Sequence, residues 1–211
     1  MIEILDNAIQ IIVVAAGAAA AGIFYARRHS EAMLILALFY LTFFSGLLYW
    51  LLFLVLKTYT PRVFYVSDIS WLGGFLFLLT LEQYLQTPEE KAFRHPAMLL
   101  APALGIPLTI FYMVRGGGDY LYNALCGGLT IAAGVLAIRG LLFARRQKGA
   151  QREYWWCHAA VLTELILEYC LWTASCFWSG GSLANPYFWF DFALTVSLAL
   201  LYPALKKAVQ P

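Results

Sequence analysis

Seven stretches of this chain are each long and apolar enough to cross a bilayer, and little lies between them. They run over about 6–26, 32–56, 64–86, 97–114, 119–143, 154–178 and 187–205. A spanning helix needs about 20 mostly apolar residues. The breaks are polar, Pro-rich or Gly-rich, such as "ARRHSE", "QTPEEKAFRHP" and "SGGSLANP". Hydrophobic residues make up 62% of the chain and charged ones 12%, against about 25% charged in a soluble domain. The mean hydropathy of +0.72 points the same way. The expected fold is all-α, one domain over 1–211, a bundle of seven transmembrane helices. The fourth span is short and holds Pro102 and Pro107, which should kink it. The acidic start "MIEILDNAIQ" has no basic region like that of a cleaved signal peptide, so the first span is expected to stay.

Basic residues set the orientation. With the N-terminus outside, the inner breaks and tail hold Arg27, Arg28, Lys91, Arg94, Arg145, Arg146, Lys148, Arg152, Lys206 and Lys207. The outer breaks hold only Lys57, Arg62 and Arg115. The arrangement expected is N-out and C-in, in a bacterial cytoplasmic membrane. Aromatics collect at the span ends, among them Tyr49, Trp50, Tyr59, Phe64, Tyr65, Tyr187 and Trp189, as in belts at the membrane–water interface.

Two pairs of landmarks suggest an internal repeat. "GIFYARR" closes the first span and "GLLFARR" the fifth. "TPRVFYVSD" enters the third and "NPYFWFD" the seventh. Spans one to three would then match spans five to seven, with the fourth as a linker, a 3+1+3 parallel plan. The competing reading is that Ala-Arg-Arg is ordinary charged punctuation and Pro-aromatic an ordinary helix entry.

Charges inside the spans are the main functional signal. A charge at the bilayer centre costs about 2.5–3.5 kcal/mol on insertion scales, so such residues face the bundle interior or a wet cavity. Glu164 and Glu168, four apart, share one helix face. Glu164 falls near the midplane and Glu168 one turn nearer the outside, with Trp172 and Ser175 continuing that face. Asp68 and Asp191 lie in the outer thirds of their helices. Asp6, Asn7 and Gln10 line the outer start of the first span, and Asn123 and Cys126 the start of the fifth. Together these residues are expected to form an outward-open pocket with an acidic lining. Two poorly hydrated carboxylates four apart cannot both ionise cheaply, so one is expected to hold a proton near neutral pH. The ligand classes this implies are a small cation or a proton. Glu164 is the acid expected to matter most, with Glu168, Asp68 and Asp191 binding or gating. The bland alternative is a protonated acid hydrogen-bonded to a neighbouring helix.

Glu82 and Arg139 fall toward the inner ends of the third and fifth spans, where opposite charges at one depth suggest a structural ion pair. The glycine pairs at 73–74 and 127–128 and the "AAGAAAAG" run read as close-packing faces. Gly116–Gly118 reads as a tight turn.

Several chemistries have no support. Cys126, Cys157, Cys170 and Cys176 show no metal-ligand spacing and are expected to be free. His29, His95 and His158 all fall at or near the inner face and do not pair as haem ligands would. No hydrolase or metalloprotease motif is present. The seventh span holds no lysine for a retinal linkage, and Lys206 and Lys207 follow its inner end. No catalytic role, metal or cofactor is therefore expected. A net charge of +2 suggests no nucleic-acid partner.

The stretch "VFYVSDISWLGGFLFLLTLEQYL" (63–85) resembles the membrane-embedded sensor regions of bacterial diguanylate cyclases and histidine kinases. Those regions enter a helix through Ser-Asp or Ser-x-Asp, then aromatics, then a leucine-rich run. Here Ser67, Asp68 and Trp71 stand in that pattern. The resemblance implies seven spans, N-out and C-in, with the inner end joined to an output domain. This sequence departs there, stopping at "LKKAVQP", so no kinase or cyclase is expected. Three roles follow: a ligand- or pH-sensing module signalling through a separate cytoplasmic or membrane partner, a small-molecule or cation transporter of 3+1+3 plan, or an anchoring subunit of a complex.

Overall fold

The computed structural model describes residues 2–57, 66–115, 120–179 and 182–210. Within them the chain forms eight α-helices: α1 (Ile2–Arg28), α2 (Glu31–Lys57), α3 (Val66–Leu85), α4 (Pro88–Ala92), α5 (Leu100–Arg115), α6 (Tyr120–Ala144), α7 (Ala150–Phe177) and α8 (Pro186–Val209). A 3-10 turn, Pro96–Leu99, runs directly into α5. The expected turn at Gly116–Gly118, and Tyr59, Arg62, Phe64 and Tyr65, lie outside the described residues.

Six helices are long and apolar enough to cross a membrane: α1, α2, α5 with its leading 3-10 turn, α6, α7 and α8. That is the signature of a multi-pass membrane protein. The third expected span, α3, has 20 residues, about 30 Å at 1.5 Å per residue. Its apolar run is short and is bounded by Asp68 at one end and Glu82 and Gln83 at the other. Length decides the elements here: each apolar run ends where charge, proline or glycine stops it.

The helix ends follow ordinary capping chemistry. Basic Arg27 and Arg28 close α1 and acidic Glu3 opens it, both signs suiting the helix dipole. His29, with φ of 52°, turns the chain sharply from α1 into α2. Asn185 caps α8, its Oδ1 accepting from Tyr187 N at 3.0 Å, with Pro186 at the first helical position. The short α4, which the spacing does not predict, has the same logic. Thr87 Oγ1 accepts from Glu90 N at 3.2 Å, Pro88 follows, and Glu89 and Glu90 fill the first turn.

Six helices close a ring in the order α1, α2, α3, α6, α7, α8 and back to α1. Helix α5 packs outside the ring, on α6 and α7, and buries little beyond Gly105 and Tyr112. Tyr112 donates to the Tyr169 carbonyl at 3.1 Å and shares a bond with Thr173 Oγ1 at 2.7 Å. Tyr169 in turn meets Thr130 at 2.8 Å. These bonds tie α5, α6 and α7 together without a charge. Large apolar side chains such as Ile12, Leu56, Leu104 and Val114 point out of the bundle, as lipid-facing residues do.

Within the ring an apolar cluster forms much of the core, and small-residue faces set its tightness. Tyr40 of α2 is wholly buried and donates from its hydroxyl to the Leu198 carbonyl of α8 at 2.6 Å. Its ring lies against Gly17 of α1, where a Cβ would fall 2.7 Å from the ring. Gly22, five residues on and on another face of α1, meets open space. Gly17→Ala is therefore expected to destabilise by about 1–3 kcal/mol, as overpacking does. Gly22→Ala should be neutral or stabilise by about 0.5–1 kcal/mol through helix propensity. Thermal unfolding of both variants in detergent checks the pair, and equal effects would contradict this packing.

Candidate functional site

A cavity of about 350 Å³ opens among the ring helices at the end where α1, α3, α6 and α8 begin and α2 and α7 finish. The helices feed it by one rule. Glu3, Asn7 and Gln10 of α1, Phe43, Leu47 and Trp50 of α2, and Tyr187, Asp191 and Leu194 of α8 each stand at i, i+4 and i+7. On α7 the stripe is Glu168, Leu171, Trp172 and Ser175, and on α3 it is Trp71 and Phe75. Such spacings put side chains on one helix face. Tyr122 of α6 completes the wall.

Among the described residues, every charged one lining the cavity is an acid: Glu3, Glu168 and Asp191. Aromatic rings form much of the rest. Trp50 and Trp71 lie with centroids 5.5 Å apart, and Phe75 meets Trp172 edge-on at 5.7 Å. Trp50 Nε1 donates to Glu3 Oε1 at 3.2 Å, fixing the ring beside the carboxylate. Gln10 Nε2 donates to Asp191 Oδ1 at 3.0 Å and to Thr195 Oγ1 at 3.1 Å. Behind Asp191 stands Asp6, buried and close enough to act on it electrostatically. Neither Asp6 oxygen has a donor among the described groups.

The residues singled out from the sequence divide into two groups. Glu168, Asp191 and Trp71 line the cavity, as do Asn7, Gln10, Trp172 and Ser175. Glu164 does not. It is buried one turn deeper, about 6 Å further along α7, bonded to Ser197 of α8 and close to Tyr40. Its Oε1 has no partner among the described groups. Asp68 is half-buried and near enough to Tyr122 and Cys126 to act on them electrostatically. Asn123 is half-buried beside Tyr122 but not on the cavity wall. Glu3 and the wall rings Phe43 and Phe75 carry no sequence signal of their own. Trp50 and Tyr187 read in the sequence as belt residues; the i, i+4, i+7 stripe they share with their neighbours is the signal that places them inward.

A second polar cluster lies at the opposite end. Glu82 and His158 are 0% and 1% exposed, and His158 Nδ1 meets Glu82 Oε2 at 2.8 Å. The ion pair expected between Glu82 and Arg139 is therefore not the one formed. Arg139 Nη2 donates to Gln86 Oε1 instead, with Glu90 and Glu82 close enough to act on its charge. The reason is a glycine. Gly140 of α6 has no Cβ, and the His158 ring occupies the space a Cβ would need. That lets the ring reach Glu82. A smaller cavity of about 150 Å³ adjoins this pair, lined in part by Glu90, Tyr154 and His158. Glu90 lies on α4, outside the long helices. Burial raises its carboxyl above the usual range, and the nearby His158 works against that shift. Its exposed neighbour Glu89 is held below that range by its own backbone N–H and the Thr87 hydroxyl.

Among the described residues no cluster of His, Cys, Asp and Glu has the makings of a metal site, and the four cysteines are unpaired. No protein-family model, curated protein or solved structure matches the chain.

The Glu82–His158 pair makes a firm energetic prediction. Removing one partner strands a buried charge, which costs about 3–5 kcal/mol, whereas an apolar pair of similar volume is often tolerated. Glu82→Leu and His158→Leu should each lower the unfolding temperature markedly, and the double variant should lie closer to wild type than either. Additive losses in the double variant would show that the two side chains are not coupled.

Proposed function

We propose that this protein is a seven-span protein of a bacterial cytoplasmic membrane, N-out and C-in, whose outer cavity binds a small organic cation. Binding is reported to a separate signalling partner. The observation that carries the proposal is the lining of the cavity, where all charged groups of the described residues are acids and the polar floor is ringed by tryptophan, tyrosine and phenylalanine. Aromatic faces attract cations by about 0.5–2 kcal/mol each, most strongly when water is excluded. Carboxylates supply the countercharge. A cavity of about 350 Å³ is at the lower end of small-ligand sites, which run from about 300 to 1,000 Å³.

In this reading Asp191 and Glu168 contact the cation, and Trp50, Trp71 and Trp172 box it. Asp6 and Glu164 sit behind the wall and adjust the charge of the floor by holding or releasing protons. Helix α3 counts as a seventh span, with Ser67 and Glu82 buried in the bundle. The likeness of 63–85 to sensor regions is why a signalling role is placed first.

A carrier of 3+1+3 plan is the second reading, supported by the neighbour order of the helices. Exchanging α1 with α6, α2 with α7 and α3 with α8 maps the contact of α3 and α6 onto that of α8 and α1. The same exchange maps α1–α2 onto α6–α7 and α2–α3 onto α7–α8, and leaves α5 as the odd helix. The cavity would then lie between two like halves, as substrate sites do in repeat-built carriers.

Ligand binding raises unfolding stability by mass action, about 2.7 kcal/mol at 100 times the dissociation constant. Purified protein in detergent is expected to gain thermal stability with quaternary ammonium or primary amine ligands and not with matched anions. Asp191→Asn and Glu168→Gln should remove the gain. Glu164→Gln should fold and keep the gain while flattening its dependence on pH. No gain with any cation would leave only a structural, anchoring role. Counterflow uptake into proteoliposomes, if seen, selects the carrier.

A further inference from the structure

The C-terminal ends of α1 and α8 meet on the face opposite the large cavity, and between them lies a groove of about 310 Å³. Three cations line it, Arg27 and Arg28 from α1 and Lys206 from α8, and among the described residues no carboxylate does. The neighbouring Lys207 differs, since Glu153 of α7 pairs with it at 2.8 Å. Lys206 instead stands 5.9 Å from the Tyr202 ring, which fixes its position without neutralising it. Basic residues at helix C-termini suit the helix dipole, and that alone would explain one or two of them. It does not explain three cations from two helices converging on one indentation, where they repel one another unless an anion sits among them.

The wall beside these cations is apolar. Ile23 and Phe24 of α1 line the groove, and Ile23 is 54% exposed toward the bundle exterior. A soluble anion would make no use of that wall. An anionic phospholipid would, with its phosphate on the cations and an acyl chain along Ile23. Basic pockets between membrane helices hold such headgroups.

We propose that the groove between α1 and α8 binds an anionic phospholipid through Arg27, Arg28 and Lys206. Each cation near an anionic membrane surface contributes about fivefold in affinity. The site is separate from the cation cavity and does not depend on what fills it.

The test uses the full chain in nanodiscs holding equal phosphatidylglycerol and phosphatidylcholine, with retained lipid counted by native mass spectrometry. Wild type should keep phosphatidylglycerol in preference. Arg27→Gln, Arg28→Gln and Lys206→Gln combined should abolish the preference, and Lys206→Gln alone should reduce it about fivefold, which keeps the test informative if the triple variant folds poorly. Equal retention of the two lipids by wild type, or an unchanged preference in Lys206→Gln and the triple variant, would overturn the proposal. Displacement of the lipid by millimolar inorganic phosphate would overturn it too, in favour of a soluble anion site.

Discussion

An acid placed in the apolar part of a membrane helix must find the bundle interior, because exposing it to lipid costs several kcal/mol. This chain has such acids on α1, α3, α7 and α8, and their need for the interior fixes how those helices are rotated. Asp6 and Asp191 face each other between α1 and α8, and Gln10 braces Asp191. Glu164 turns to Ser197 and Glu82 to His158. Each of these contacts joins two helices of the ring. The apolar residues then pack in the register that the acids allow.

Those polar contacts fall at two levels, and the levels differ in kind. Near the Glu82–His158 pair the charges are balanced: acids meet a histidine and an arginine in a small space, with Gly140 making the room. This suits a fixed brace. At the other end the charged residues lining the cavity, among those described, are all acids, and the cavity is large enough for a small ligand. An arrangement of unbalanced charge, aromatic walls and open volume suits a binding site. The proposed function rests on that contrast between the two ends of one bundle.

Much of the architecture is legible in the sequence because membrane length is a strong constraint. Six of the seven expected spans coincide with the six helices long and apolar enough to cross a membrane, the largest differences being four-residue earlier starts of α1 and α7 and a four-residue later end of α8, while the expected span 64–86 falls on the shorter α3. Depth along a helix is also readable, so Asn7, Gln10, Glu168 and Asp191 are foreseen at one level. What a single sequence does not give is which neighbour each face meets. Arg139 looks like the partner of Glu82 by depth, but Gly140 admits the ring of His158. Glu164 looks central by depth, and that depth itself puts it beneath the cavity floor. Trp50 and Tyr187 look like belt residues because belt and cavity share the same height. The α4 turn goes unpredicted because its five residues are too few for any periodicity, although its Thr-Pro-Glu-Glu cap is written plainly.

The central claim is that the cavity at the N-terminal end recognises positive charge. Three tryptophans line it, so their fluorescence reports directly on its contents. Titrating the protein in nanodiscs with choline and with its neutral isostere 3,3-dimethylbutan-1-ol separates charge from shape. The account predicts a saturable change with choline that the isostere does not produce and that Asp191→Asn removes. Equal responses to the two compounds, or none to either, would contradict it.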